Sequence, residues 1–261
     1  MRKYRHIILS IAASWQLLMD LPRQPGGRAV SRPGARVKGR RVLVWFPVLA
    51  TVNGLILALS CDLVEALSSR WVGAAAFALL TLLYLAVRHS GRGWVMFVSW
   101  VLNLRDGYGF FDALSAARSD RSELDREWGG TVMAMLALLM LLILFLVGLF
   151  GSPYFMAAVL VCSSVVQGQQ LLILPPEEGG VSDQRWIGRL IMWLVAAAIA
   201  TVWFFIFPVA TVMSSVVVLL AMCWIGGNSH RAMAGFGADM AAWTESAAEL
   251  LMLVFGMLLT I

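Results

Sequence analysis

Carboxylates and arginines that could manage phosphate chemistry gather in two places. The first is Arg105 to Gly130, RDGYGFFDALSAARSDRSELDREWGG, with six acids and four arginines. Asp106 and Asp112 suit a hard divalent cation such as Mg²⁺, which takes one or two carboxylates and fills its shell with water and phosphate oxygens. Asp106-Gly107 adds a sharp turn that orients the first carboxylate. The same stretch also reads as a solvated amphipathic helix: Phe111, Leu114 and Ala117-Arg118 fall at helical spacing, and its acids and arginines form i,i+3 and i,i+4 pairs. The second place holds Arg231, Gly235, Gly237 and Asp239, then Glu245 and Glu249. Glu245 and Glu249 are one helical turn apart on one face, and Glu249 lies roughly 15 Å beyond Asp239 along a helix. Acids within an apolar span are costly, so they either pair with a buried partner or serve a site. The two glycines would let backbone approach a phosphate, although Gly235-Phe236-Gly237 is no P-loop. His230 beside Arg231 offers an acid, a base or a phosphate contact, or is incidental.

The elements that must position these groups are apolar. The 261-residue chain is 60% hydrophobic and 13% charged, with a mean hydropathy of +0.81, whereas soluble domains run nearer half apolar and a quarter charged. This composition indicates a membrane protein and excludes a large soluble catalytic domain, an extended disordered chain and a disulfide-stapled module. Cys61, Cys162 and Cys223 are far apart, with neither metal-ligand nor disulfide spacing, and read as packing residues. Gln167, Gln169 and Gln170 are uncommon within a span and point to hydrogen bonds between helices. Pro175-Pro176-Glu177-Glu178-Gly179-Gly180 reads as a turn that ends a helix.

Crossing the hydrocarbon takes roughly 20 apolar residues. Seven segments reach or approach that length: Leu43–Ser60, Val72–Val87, Thr131–Phe150, Tyr154–Leu174, Ile187–Phe207, Val209–Ile225 and Ala241–Ile261. The expected fold is therefore all-α, a polytopic bundle of about seven transmembrane helices forming one domain over residues 43–261. Residues 1–42 form a basic N-terminal segment with an interfacial amphipathic helix. That segment carries ten of the twenty Lys and Arg residues against one acid, Asp20. By the positive-inside rule it stays cytoplasmic, where it can touch anionic lipid. No aromatic platform favours nucleic acid as a partner. Counting spans from there makes residues 103–130 a cytoplasmic acidic loop. Gly151-Ser152-Pro153 and Phe207-Pro208 become tight outer turns, and Pro175 to Trp186 and Gly226 to Asp239 become inner loops. Gly93 to Leu104 is too short for a clean span and lies at the interface or re-enters, its flanks Arg92 and Arg105 favouring one side; a full crossing would invert the topology behind it.

These blocks resemble, in order and over nearly the whole chain, the cobalamin (5′-phosphate) synthases, or adenosylcobinamide-GDP ribazoletransferases. Leu21-Pro22 is similar to the family's RLPVP opening, and Phe46-Pro47 with Gly54 to its FPLIGLLLG span. Asp112 to Ser119, DALSAARS, resembles DGVFSARS; Asp125 with Gly129 resembles DSRxG; and Gly235-Phe236-Gly237-Ala238-Asp239 with Glu249 ten residues on resembles GxTGD…E. Where the family has DGxADxxDG, this chain keeps Asp106-Gly107 and Asp112 at an interval one residue shorter. Gly109 or Phe110 stands in place of the middle acid, and Ala113 in place of the last glycine.

The resemblance implies a multi-pass enzyme of the bacterial inner membrane that uses Mg²⁺ to join α-ribazole, or its 5′-phosphate, to adenosylcobinamide-GDP with release of GMP. It implies Asp106, Asp112 and Asp125 as catalytic residues, the first two as metal ligands. Arg118, Gly235, Asp239 and Glu249 become substrate-binding. The corrinoid nucleotide, the ribazole, membrane lipid and a second copy of the chain are the implied partners. The departures in the acidic motif support an alternative, a catalytically impaired paralogue acting as membrane scaffold or partner subunit. Another Mg²⁺-dependent membrane phosphotransferase also uses several aspartates, at a spacing that fits less well.

Overall fold

A computed structural model describes residues 2–19, 43–88, 129–173, 185–232 and 237–260. Among them the fold is all-helical, in eight helices: α1 (Arg2–Met19), α2 (Trp45–Leu67), α3 (Arg70–Val87), α4 (Gly129–Phe150), α5 (Phe155–Ile173), α6 (Arg185–Ile206), α7 (Val209–Ala232) and α8 (Gly237–Thr260). Each of the seven apolar segments falls largely within one helix. Three helices are long and apolar enough to cross a bilayer, over Trp45–Leu67, Phe155–Leu172 and Ile187–Ile206; shorter apolar stretches are Arg70–Ala86, Ala137–Phe150 and Val212–Gly226. Two boundaries differ from the sequence expectation. Helix α2 runs past Ser60 and so carries Asp62 and Glu65, and the expected inner loop from Gly226 to Asp239 is mostly helix, since α7 continues to Ala232 and α8 begins at Gly237. A helix interior satisfies its own backbone groups, so polar residues such as Asn228 and Ser229 do not break one within reach of the bundle.

The turns α2–α3, α4–α5 and α6–α7 cluster at one end. Ser69, extended at the head of α3, accepts from the Val72 amide at 3.5 Å. Phe155 and Met156 donate back to the Ser152 and Pro153 carbonyls at 2.9 and 3.0 Å, turning the chain into α5. Pro208 precedes α7, where its missing N–H costs nothing. Side chains tie these turns together: the Tyr154 hydroxyl donates to the Asp62 carboxylate, and Phe155 meets Phe207 edge-on at 5.9 Å. The chain leaves the opposite end at Arg88, Ile173 and Ala232.

Helix α5 is the axis of the bundle. Its apolar window is 94% buried, and α2, α8, α7 and α6 pack around it. Small residues permit this. A Cβ on Gly54 would stand 2.3 Å from the Ala157 Cα, so α2 and α5 touch backbone to backbone, as membrane helices do where small residues face each other. Helix α1 rests on α2 with Ser10, Ala13, Ser14 and Leu18 inward and Ile7, Ile8 and Trp15 outward, the two-sided character expected of an amphipathic helix.

Candidate functional site

Helix α3 ends on Arg88, which is 4% exposed, and α8 carries Glu245 and Glu249, at 1% and 2%. Arg88 Nη1 donates to Glu249 Oε1 at 2.5 Å, and Nη2 is ion-paired with Glu245 Oε1. The one-turn spacing of the two acids lets a single forked guanidinium reach both, the planar geometry for which arginine is suited. The cluster lies well inside the bundle: Glu245 and Glu249 stand about 12 and about 18 Å from the start of α8 at the helical rise.

Neutral polar groups surround it. The Asn53 amide of α2 donates to the Tyr84 hydroxyl of α3 at 3.1 Å. Tyr84 lies one turn before Arg88, and the Ser163 hydroxyl of α5 lies beside Glu249. Thr81 on α3, Gln167 and Gln170 on α5 and Thr244 on α8 are buried with them. Helices α2, α3, α5 and α8 thus each contribute to a polar interior within an apolar bundle. Two carboxyl groups thus share one guanidinium. A low-dielectric interior makes such a cluster stable only while its charges stay paired.

Of the expected site residues, Asp106, Asp112, Asp125, Arg118 and Gly235 lie outside the described residues. Asp239 is in the first turn of α8, with its side chain outside what is described. Glu249 is described, and it has a buried partner, Arg88. Arg88 was missed. The signal for it was present: a lone arginine closing an apolar span, in a chain with two acids inside another span. Gln169 behaves as expected, accepting from Trp193 Nε1 of α6 at 3.4 Å. The three cysteines are free and packed within helices.

Among the described residues no three His, Cys, Asp or Glu side chains converge as a metal site. The Glu245–Glu249 pair does not fit Mg²⁺, because a guanidinium already occupies the position a cation would take between them. What the arrangement does chemically is hold a fixed pattern of charge and hydrogen-bond donors beneath the connector end of the bundle. No protein-family model, curated protein or solved structure matches this chain.

Proposed function

We propose that the chain is a polytopic inner-membrane transferase of the ribazoletransferase kind, joining α-ribazole or its 5′-phosphate to adenosylcobinamide-GDP. The observation that carries this reading is the Arg88 clamp. Arg88 closes α3, the helix that precedes the acidic segment in the chain, and Glu249 is the acid that closes the C-terminal block, so a buried ion pair ties that block to the helix before the acidic segment. In this reading seven helices cross the membrane, and the end bearing residues 89–128 and 233–236 is cytoplasmic, as is the basic N-terminus.

The reaction forms one phosphorus–oxygen bond and breaks another. A ribose hydroxyl attacks the cobinamide-linked phosphorus, its proton leaves, and GMP departs with the electron pair of the broken bond. Such a step draws on positioning and on stabilising charge at the phosphoryl oxygens. Asp106 and Asp112 would hold Mg²⁺, which would supply that charge; Asp125, Arg118, Gly235 and Asp239 would bind the phosphates and the substrates. Glu249, held in place by Arg88, would complete the substrate pocket with them.

The test is GMP release and cobalamin formation by membranes containing the protein, given adenosylcobinamide-GDP, α-ribazole 5′-phosphate and Mg²⁺. Turnover that falls by at least about a hundredfold in Asp112→Asn, the scale of losing a charge-stabilising group, supports the reading. No turnover from folded protein favours the second reading, a scaffold or partner subunit, for which Gly109-Phe110 in place of the motif's middle acid is the supporting observation.

A further inference from the structure

Away from the charged cluster, a cavity of about 380 Å³ lies between α5, α6 and α7. Its floor is α5, where Phe155, Cys162 and Val165 are buried. Its mouth opens on the lipid-facing side between α6 and α7, past Phe204, Val216 and Leu220, which are 45%, 39% and 57% exposed. The cavity exists because the α6 wall is built of small residues, Ala196, Ala197 and Ala200, and because α6 and α7 touch sparsely after leaving their shared turn.

The contents follow from packing and polarity. Protein interiors are close-packed, and apolar cavities of ~150 Å³ already take up a hydrocarbon the size of benzene. Water needs two to four polar partners, whereas the Thr201 hydroxyl in the wall is turned back to the Ala197 carbonyl of its own helix at 2.8 Å. The shape is a slot. Its lining runs from Trp193 to Phe204 on α6 and from Phe155 to Val165 on α5, spans of about 17 and about 15 Å at the helical rise. It lies parallel to helices of membrane-crossing length, the direction in which lipid tails run.

We propose that this cavity is a specific site for one acyl chain of a bilayer phospholipid, wedged between α6 and α7. The chain supplies the contacts that α6, only 17% buried over its apolar window, does not obtain from protein. Its polar headgroup stays at the interface beside the α6–α7 turn. This site is independent of the transfer reaction and of the residues assigned to it.

The test places the full-length protein in nanodiscs of a phospholipid with a photoreactive diazirine in its acyl chain and maps adducts by peptide mass spectrometry. Lipid that merely surrounds the protein cannot reach the α5 floor, so adducts on the peptide spanning Cys162 to Val165, severalfold above those on the exposed α2 face around Leu59 and Leu63, are the expected result. Ala200→Trp and, independently, Ala197→Phe fill the slot and abolish that excess while leaving the melting temperature equal to or above the wild type. Adducts confined to the outward faces of α2, α6 and α7 overturn the proposal. An excess that survives both substitutions overturns it as well.

Discussion

Arg88, Glu245 and Glu249 illustrate how differently a charge behaves according to what faces it. Each is a poor choice for an apolar bundle alone. Together they are held, because removing one partner of a buried pair leaves an unpaired charge whose desolvation nothing offsets. Arg88→Gln strands two carboxylates and lowers stability by about 3–5 kcal/mol, measurable as unfolding of the purified protein in detergent. Glu249→Gln leaves Arg88 its pair with Glu245, so it costs distinctly less than Arg88→Gln. Equal losses from the two would contradict the shared-guanidinium arrangement. At the other end of the bundle, Tyr154 is half-buried at the turn before α5, and its phenol is held above the ordinary value of 10.0, first by donating to Asp62 and then by desolvation. The protonated phenol is the favoured form in the folded state. Its contribution is therefore intact below the ordinary tyrosine range and lost as pH rises through the raised value. Melting curves of wild type and Tyr154→Phe should differ at neutral pH and converge in strong alkali.

At the scale of elements, the closest contact is between α2 and α5. Gly54 meets the Ala157 backbone, so even a methyl group must push two helices apart. Overpacking of this kind costs typically 1–3 kcal/mol, and Gly54→Ala should lower the melting temperature accordingly. Ala157→Gly in the same molecule should not rescue it, because the two nearest obstacles, the Cα and N of residue 157, remain. Helix α6 is the counterpoint. It contributes little to the core, leaves the cavity at its flank, and is held to α5 by the Trp193–Gln169 hydrogen bond.

For the whole molecule, the arrangement separates the turns α2–α3, α4–α5 and α6–α7 at one end from the connections at the other, two of which, after Arg88 and Ile173, are long. If the longer connections are cytoplasmic, a cysteine placed at Ser152 in an otherwise cysteine-free chain reacts with an impermeant maleimide added to intact cells. One placed at Ser182 reacts only after the membrane is opened. Reversed labelling would put the acidic segment outside the cell and remove the basis of the proposed transfer reaction.

The sequence alone determined the all-helical class and the seven apolar segments, because burying backbone in hydrocarbon leaves helix as the economical solution and because Gly-Ser-Pro and Phe-Pro interrupt it. It also flagged Glu245 and Glu249, since acids at one-turn spacing in an apolar helix require an explanation. It could not name their partner. Arg88 is 161 residues from Glu249, and the pattern along one helix carries no record of which face of which neighbour it will meet. Likewise the continuation of α7 to Ala232 and the cavity beside α6 depend on how helices pack against one another. Tertiary contact decided which polar residues were paired and which apolar surfaces were left open.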